Sequence, residues 1–216
     1  MALNNATLSI PGIGYVYLAP VGTPRPDHGT DARTPWVDLG HSSEDGLTVT
    51  FEVEKTVKKT WRNRVGVRET VDDVTFNFAW TALQFDYPSL LAYFSGGDDS
   101  QPGVFGVTRE IASYERAVYI RLVDGKAEIG IYIARAGLGP GGEIEASPEE
   151  FAGMPITATV LDDETAEHLV SWLSPHLGTP DAPIAAKQST ALPFADTTAA
   201  IAPSPSAPKA LSLPRG

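Results

Sequence analysis

The chain has 216 residues, 42% of them hydrophobic, and a formal net charge of −11. This length suits one sizeable domain plus an extension, or two small domains, and the apolar content supports a real core, which excludes wholesale disorder. With no cysteine the chain has no disulfide and no thiolate chemistry, and its acidity argues against nucleic-acid affinity over most of the surface, because phosphate binding runs on Lys and Arg.

No apolar run approaches the roughly 20 residues that cross a bilayer. The opening "MALNNATLSIPG" lacks the charged and apolar regions of a secretory signal. The expectation is a soluble protein that stays inside the cell that makes it, with no membrane partner.

Along the chain, "GYVYLAP" reads as a short strand closed by Pro20, followed by a loop dense in Pro, Gly and Asp. "LTVTFEVEK" alternates Leu47, Val49, Phe51 and Val53 with Thr48, Thr50, Glu52 and Glu54, the pattern of a half-buried strand. Residues 55–68, "KTVKKTWRNRVGVR", are the region of greatest contrast. Lys55, Lys58, Lys59, Arg62, Arg64 and Arg68 put six positive charges and no negative one into fourteen residues. Val53, Val57, Trp61 and Val65 recur at helical spacing, yet Phe51, Val53, Val57, Trp61, Val65 and Val67 also share one parity. The β-branched content favours strand or extended loop.

"VTFNFAW" then points Val74, Phe76, Phe78 and Trp80 inward. "FDYPSLLAYFSGG" predicts a helix of about two turns, with Asp86 as N-cap, Pro88 in the first turn and Gly96 past the end. Leu90, Leu91 and Phe94 are expected to face the core. "AVYIRLV" and "AEIGIYIARA" flank an Asp-Gly, the strongest hairpin signal present. "MPITATVL" is a further strand. "DDETAEHLVSWL" offers a second helix, with acids in its first turn, and "SPEEFAG" a single turn. The fold class is therefore mostly β, a sandwich or barrel with one or two short flanking helices.

Composition shifts after "HLVSWLSP". From Pro175 to Gly216 the chain holds eight prolines and ten alanines, with few large apolar residues and no period. Such a segment cannot bury enough surface to offset its ordering entropy. The division is a β domain over 1–175 and a Pro/Ala-rich arm over 176–216, extended or disordered.

The motifs for chemistry are weak. "GLGPGG" is literally G-x-G-x-x-G, at Gly137, Gly139 and Gly142, with Asp162 downstream. A dinucleotide fingerprint needs a helix opening at the third glycine. Here "EIEASPEEFAG" supplies Pro148 and four glutamates instead, so the motif reads as a mobile inter-strand loop. His28, His41, His168 and His176 show no metal-ligand spacing, and the paired aspartates lack the alternation of a calcium loop. "GHSSEDG" holds Ser, His and acids in adjacency, which reads as a turn into the next strand, since a triad needs convergence in space. No catalytic, cofactor or metal residue is expected, and no enzyme.

The basic stretch carries an aromatic among its cations, as a nucleic-acid patch would. The rest of the domain, however, has 25 acids against 7 other basic residues. Contact with an acidic face of another copy fits better, because the chain carries both poles itself. Lys55, Lys58, Lys59, Trp61, Arg62, Arg64 and Arg68 are the candidate inter-subunit residues.

The order of segments "GYVYLAPVGTPRP", "WVDLGHSSEDGLTVTFEVEKTVKKTW" and "VRETVDDVTFNFAWTALQFDYPSLLAYFSG" resembles the major tail proteins of long-tailed, non-contractile phages, closest to those of actinobacterial phages. The likeness covers roughly residues 10–165. It implies a β-sandwich or barrel with a flanking helix, six copies in a ring, and rings stacked into a tube that conducts DNA without binding it specifically. It also implies a long loop between two early strands that reaches the adjacent ring. The implied partners are further copies of the chain, with tape-measure, terminator and distal tail proteins, in a virion tail assembled in the host cytoplasm. Other readings are a tail terminator, a capsid-decorating β domain, or a nucleic-acid-binding β module.

Overall fold

A computed structural model describes residues 11–27, 34–62, 64–97, 101–110, 112–125 and 127–177. The expected arm at 176–216 lies outside the described residues except for its first two, which close a 3-10 turn at Pro175–Leu177.

Eight strands form one antiparallel sheet: β1 (Ile13–Ala19), β2 (Val37–Asp38), β3 (Ser42–Lys58), β4 (Arg68–Ala82), β5 (Tyr114–Asp124), β6 (Ala127–Pro140), β7 (Met154–Val160) and β8 (Val170–Leu173). Their order is β2-β1-β5-β6-β7-β4-β3, with β8 beside β6. The first half of β6, Gly130–Ile133, is paired with β8, and its second half, Ala136–Pro140, with β7. β6 therefore forks the sheet, which curls until β1 lies near the start of β3.

One core fills the concave side. Val16 and Leu18 of β1, Phe78 and Trp80 of β4, Val118 and Ile120 of β5, Ile131 and Ile133 of β6, and Ile156 of β7 all point into it. Period-two alternation puts Tyr17 and Tyr119 on the other face, where they pack with Leu173 and the partly buried Trp36 and Tyr132. Burial, with Glu128 nearby, holds the Tyr119 hydroxyl above its ordinary pKa.

The Asp-Gly hairpin forms as the sequence predicts. Asp124 faces Ala127, and Gly125 takes the left-handed conformation at φ 57°. Across it Arg121 grips Glu128, with Nε donating at 2.6 Å, and Arg135 pairs with Glu115 at 2.7 Å. These cations of the domain body thus have local partners.

Helix α1 (Tyr87–Phe94) starts as expected, with Asp86 Oδ1 accepting from the Ser89 amide at 3.1 Å. Its left-handed terminus is Ser95, one residue before Gly96. Its fully buried residues are Ser89 and Ala92; Leu90 packs against the core as expected, with Tyr93 there in place of Leu91 and Phe94. Phe94 instead meets Tyr93 and Phe105. A small residue lets the helix sit close on the sheet.

Three further expectations fail. "DDETAEHLVSWL" is a turn followed by β8, because Gly130–Ile133 of β6 has an edge that Val170–Leu173 pairs. "GLGPGG" is not wholly a loop: Gly137 and Gly139 lie within β6, opposite Thr159 and Thr157. "SPEEFAG" is a bend without a helical turn.

Gly130 tests the packing on the convex face. A Cβ there would lie 2.9 Å from the Tyr119 hydroxyl, 3.1 Å from Tyr119 Cε2 and 3.3 Å from Leu173 Cβ. Tyr119 is fully buried and has no room to yield. Gly130→Ala is expected to cost about 1–3 kcal/mol, as overpacking does, read as a lower midpoint in urea unfolding.

Candidate assembly surface

β3 is the terminal strand of the sheet, and β4 is paired on its other side with β7 only over Asn77–Ala82. From Phe76 outward the β3–β4 hairpin is therefore a two-stranded arm with no further strand beside it among the described residues. Phe51 faces Phe76 and Val53 faces Val74. The register then slips between Glu54 and Lys55, leaving Asp72 as an extra residue on β4. Asp72 is tied down by the Thr56 hydroxyl, and Asp73 Oδ1 accepts from the Val74 amide at 2.9 Å. Such a bulge bends and twists the ribbon.

One face of the arm is apolar from the core to the bulge, and beyond it carries valines around the Lys55–Glu69 ion pair. Phe76 touches the buried Phe78 at a centroid distance of 4.9 Å and Phe51 at 5.0 Å. Val57 and Val71 continue this face beyond the bulge. The stripe starts in the core and runs out into solvent, where Phe51 is 60% exposed and Val57, Val71 and Val74 are exposed as well. Inward alternation was thus read correctly for Phe78 and Trp80 but not for Val74, because no layer among the described residues covers the arm.

The tip holds the sequence-predicted site. The stretch 55–68 is strand to Lys58 and strand again from Arg68, with bends among the described residues 59–62 and 64–67 between them. The Val67 amide donates to the Lys58 carbonyl at 2.9 Å, closing the turn. Trp61 is fully exposed, and Val65 and Val67 are exposed beside it. Lys55 departs from the expectation. It pairs within the chain, its Nζ 2.7 Å from Glu69 Oε1, on the same face as Val57. Lys58 and Arg68 stand directly opposite one another. Like charges in that position destabilise a ribbon unless an anion answers them. None of Lys58, Lys59, Arg62, Arg64 or Arg68 has a carboxylate within salt-bridge distance among the described residues.

This site does no bond-making chemistry. It is an exposed apolar ribbon ending in an aromatic and a knot of unanswered cations, and such surfaces serve association. No group of three or more His, Asp or Glu side chains is placed to hold a metal among the described residues.

Residues 1–186 match the family described as phage tail tube protein. The chain belongs to that family. It is 31% identical over 193 residues to the major tail protein Gp23 of Mycobacterium phage L5, and equally to that of Mycobacterium phage D29. Each match covers 82% of this chain and 96% of the relative. Among solved structures, the anti-feeding prophage baseplate has a chain matching 77% of this one at 14% identity and a TM-score of 0.38, covering 97% of that chain. Membership makes the protein a structural component of the virion tail and not an enzyme. The resemblance read from segment order alone is correct.

The exposed apolar stripe of the arm is not among the sequence-predicted site residues, because Phe51, Val53, Val74 and Phe76 read as core-facing alternation.

Proposed function

We propose that the chain polymerises into hexameric rings that stack as the tail tube, a conduit through which DNA passes at ejection. The observation that carries this reading is the β3–β4 arm, whose apolar face leaves the core and finds no cover among the described residues. Burying such surface yields about 25 cal/mol per Å2, and a homopolymer repeats that gain at every subunit. The long outer edge of β3 favours the same outcome, because unpaired strand edges invite pairing. A net charge of −11 suits a conduit, since each phosphate contact adds attraction and many in series would stall the polymer. The six-cation stretch then belongs between subunits, away from the bore. Tape-measure, terminator and distal tail proteins are the partners in this reading, along the bore and at the tube ends.

Sedimentation velocity across concentration and salt tests it. The expected result is an open-ended series of species that lengthens with concentration. A single closed oligomer would favour a terminator or decorating protein, and a strict monomer throughout would overturn the reading.

A further inference from the structure

The two ends of β3 differ in both shape and charge. At its start, a cleft of about 870 Å3 lies between β1 and Ser42–Val49. It exists because β1 and β3 approach without pairing, and because the β3–β4 register breaks between Ser42 and Leu47. Its floor includes Val16, Trp80, Ile120 and Ile131, which belong to the core. Its rim carries Asp38, Glu44 and Asp45, all exposed, and no Lys or Arg among the described residues that line it. Asp38 accepts from the Gly40 amide and Asp45 from the Ser43 hydroxyl, which holds both carboxylates in place. At the far end of β3 is the arm tip, with Trp61 fully exposed and its cations unanswered.

We propose that this cleft is the seat for the Trp61-bearing arm tip of another copy of the chain. The inference rests on the self-assembly reading and names the acceptor surface. An indole and the valines beside it match an apolar floor of that volume, which lies in the range of sites that enclose a sizeable ligand. Lys58, Lys59, Arg62 and Arg64 match the acidic rim, and such complementarity fixes register and partner. The chain cannot satisfy itself. Thirteen residues of strand separate Asp45 from Lys58, roughly 40 Å at 3.3 Å per residue, and the extended ribbon does not fold back. The contact therefore uses two different surfaces and is heterologous, the type that propagates into rings or open filaments. The β6–β7 loop also carries acids, Glu143, Glu145, Glu149 and Glu150, and none of them lines this cleft.

The natural chain has no cysteine, so introduced pairs report cleanly. Arg62→Cys with Glu44→Cys, treated with a short bis-maleimide after tube formation, is expected to give a ladder of covalent oligomers that either single variant lacks. Tubes without a ladder would overturn the proposal. So would a ladder from Arg62→Cys paired with Glu149→Cys in place of Glu44→Cys, which moves the seat to the β6–β7 loop. Charge exchange gives a second measurement should the cysteine pair fail to assemble. Glu44→Lys with Asp45→Lys is expected to abolish tubes. Adding Lys58→Glu, Lys59→Glu, Arg62→Glu and Arg64→Glu in the same chain is expected to restore them. Wild-type tubes from the cleft reversal alone overturn the cleft and leave the arm standing. Wild-type tubes from the arm reversal alone remove the arm tip from the interface and overturn the proposal, while the self-assembly reading stands.

Discussion

Reversing Lys58, Lys59, Arg62 and Arg64 to Glu is expected to give a folded subunit that no longer polymerises. All four are exposed, and none has a carboxylate partner among the described residues. Changes at such positions usually fall within about 0.5 kcal/mol each. Lys58→Glu even places an acid opposite Arg68, exchanging a repulsive cross-strand pair for an attractive one. The cost therefore falls on assembly. One exposed ion pair is worth only about 0.2–1 kcal/mol, so any single reversal does little. Four together set like charges across every repeat, where each juxtaposition can cost several kcal/mol. Trp61→Ala is expected to give a milder form of the same defect, because it removes the apolar anchor and leaves the charges. Circular dichroism beside electron microscopy separates the two effects. Normal tubes from the fourfold reversal would remove the arm tip from the interface, and an unfolded mutant would place the stretch in the fold.

Phe78→Ala and Phe51→Ala are expected to fail in opposite ways although the two residues share one apolar stripe. Phe78 has no exposed surface and packs in the core. Its truncation removes buried area and leaves a cavity, at about 3–5 kcal/mol. Against a typical total of 5–15 kcal/mol this is a large share, so the isolated subunit is expected to melt much earlier. Phe51 is 60% exposed and meets only the edge of Phe76. Its truncation costs the subunit about 1 kcal/mol, the scale of one aromatic pair, yet it removes an apolar residue at every repeat of the assembled surface. Urea unfolding of dissociated protein and sedimentation of concentrated protein report the two terms. Equal destabilisation of both subunits would show that the arm is covered within its own chain.

Much of the fold could be read from the residues because local chemistry and tertiary packing agree. The Asp-Gly turn, the Asp86 cap and the alternation of β4 and β7 are each decided by neighbours in sequence. "DDETAEHLVSWL" was misread because its acids look like a helix start, whereas its pairing is decided by the open edge of β6 about forty residues earlier. The helix face was misread in part: Leu90 packs against the core as expected, but the close approach to the sheet selects Ala92 and Ser89 beside it, not Leu91 and Phe94. At the assembly surface, the basic charges and Trp61 were visible from composition alone. The Lys55–Glu69 pair was not, since it depends on a bulge that no local signal announces. The cleft was hidden for the same reason. It lies where two distant strands fail to pair, and strand alternation does not report a missing partner.

The account rests on open-ended self-association through the arm, and negative-stain electron microscopy of the concentrated, purified protein tests that most directly. The predicted result is hollow tubes of uniform diameter built from stacked rings, lengthening as concentration rises. Monodisperse particles of single-subunit size at every concentration and salt would contradict it.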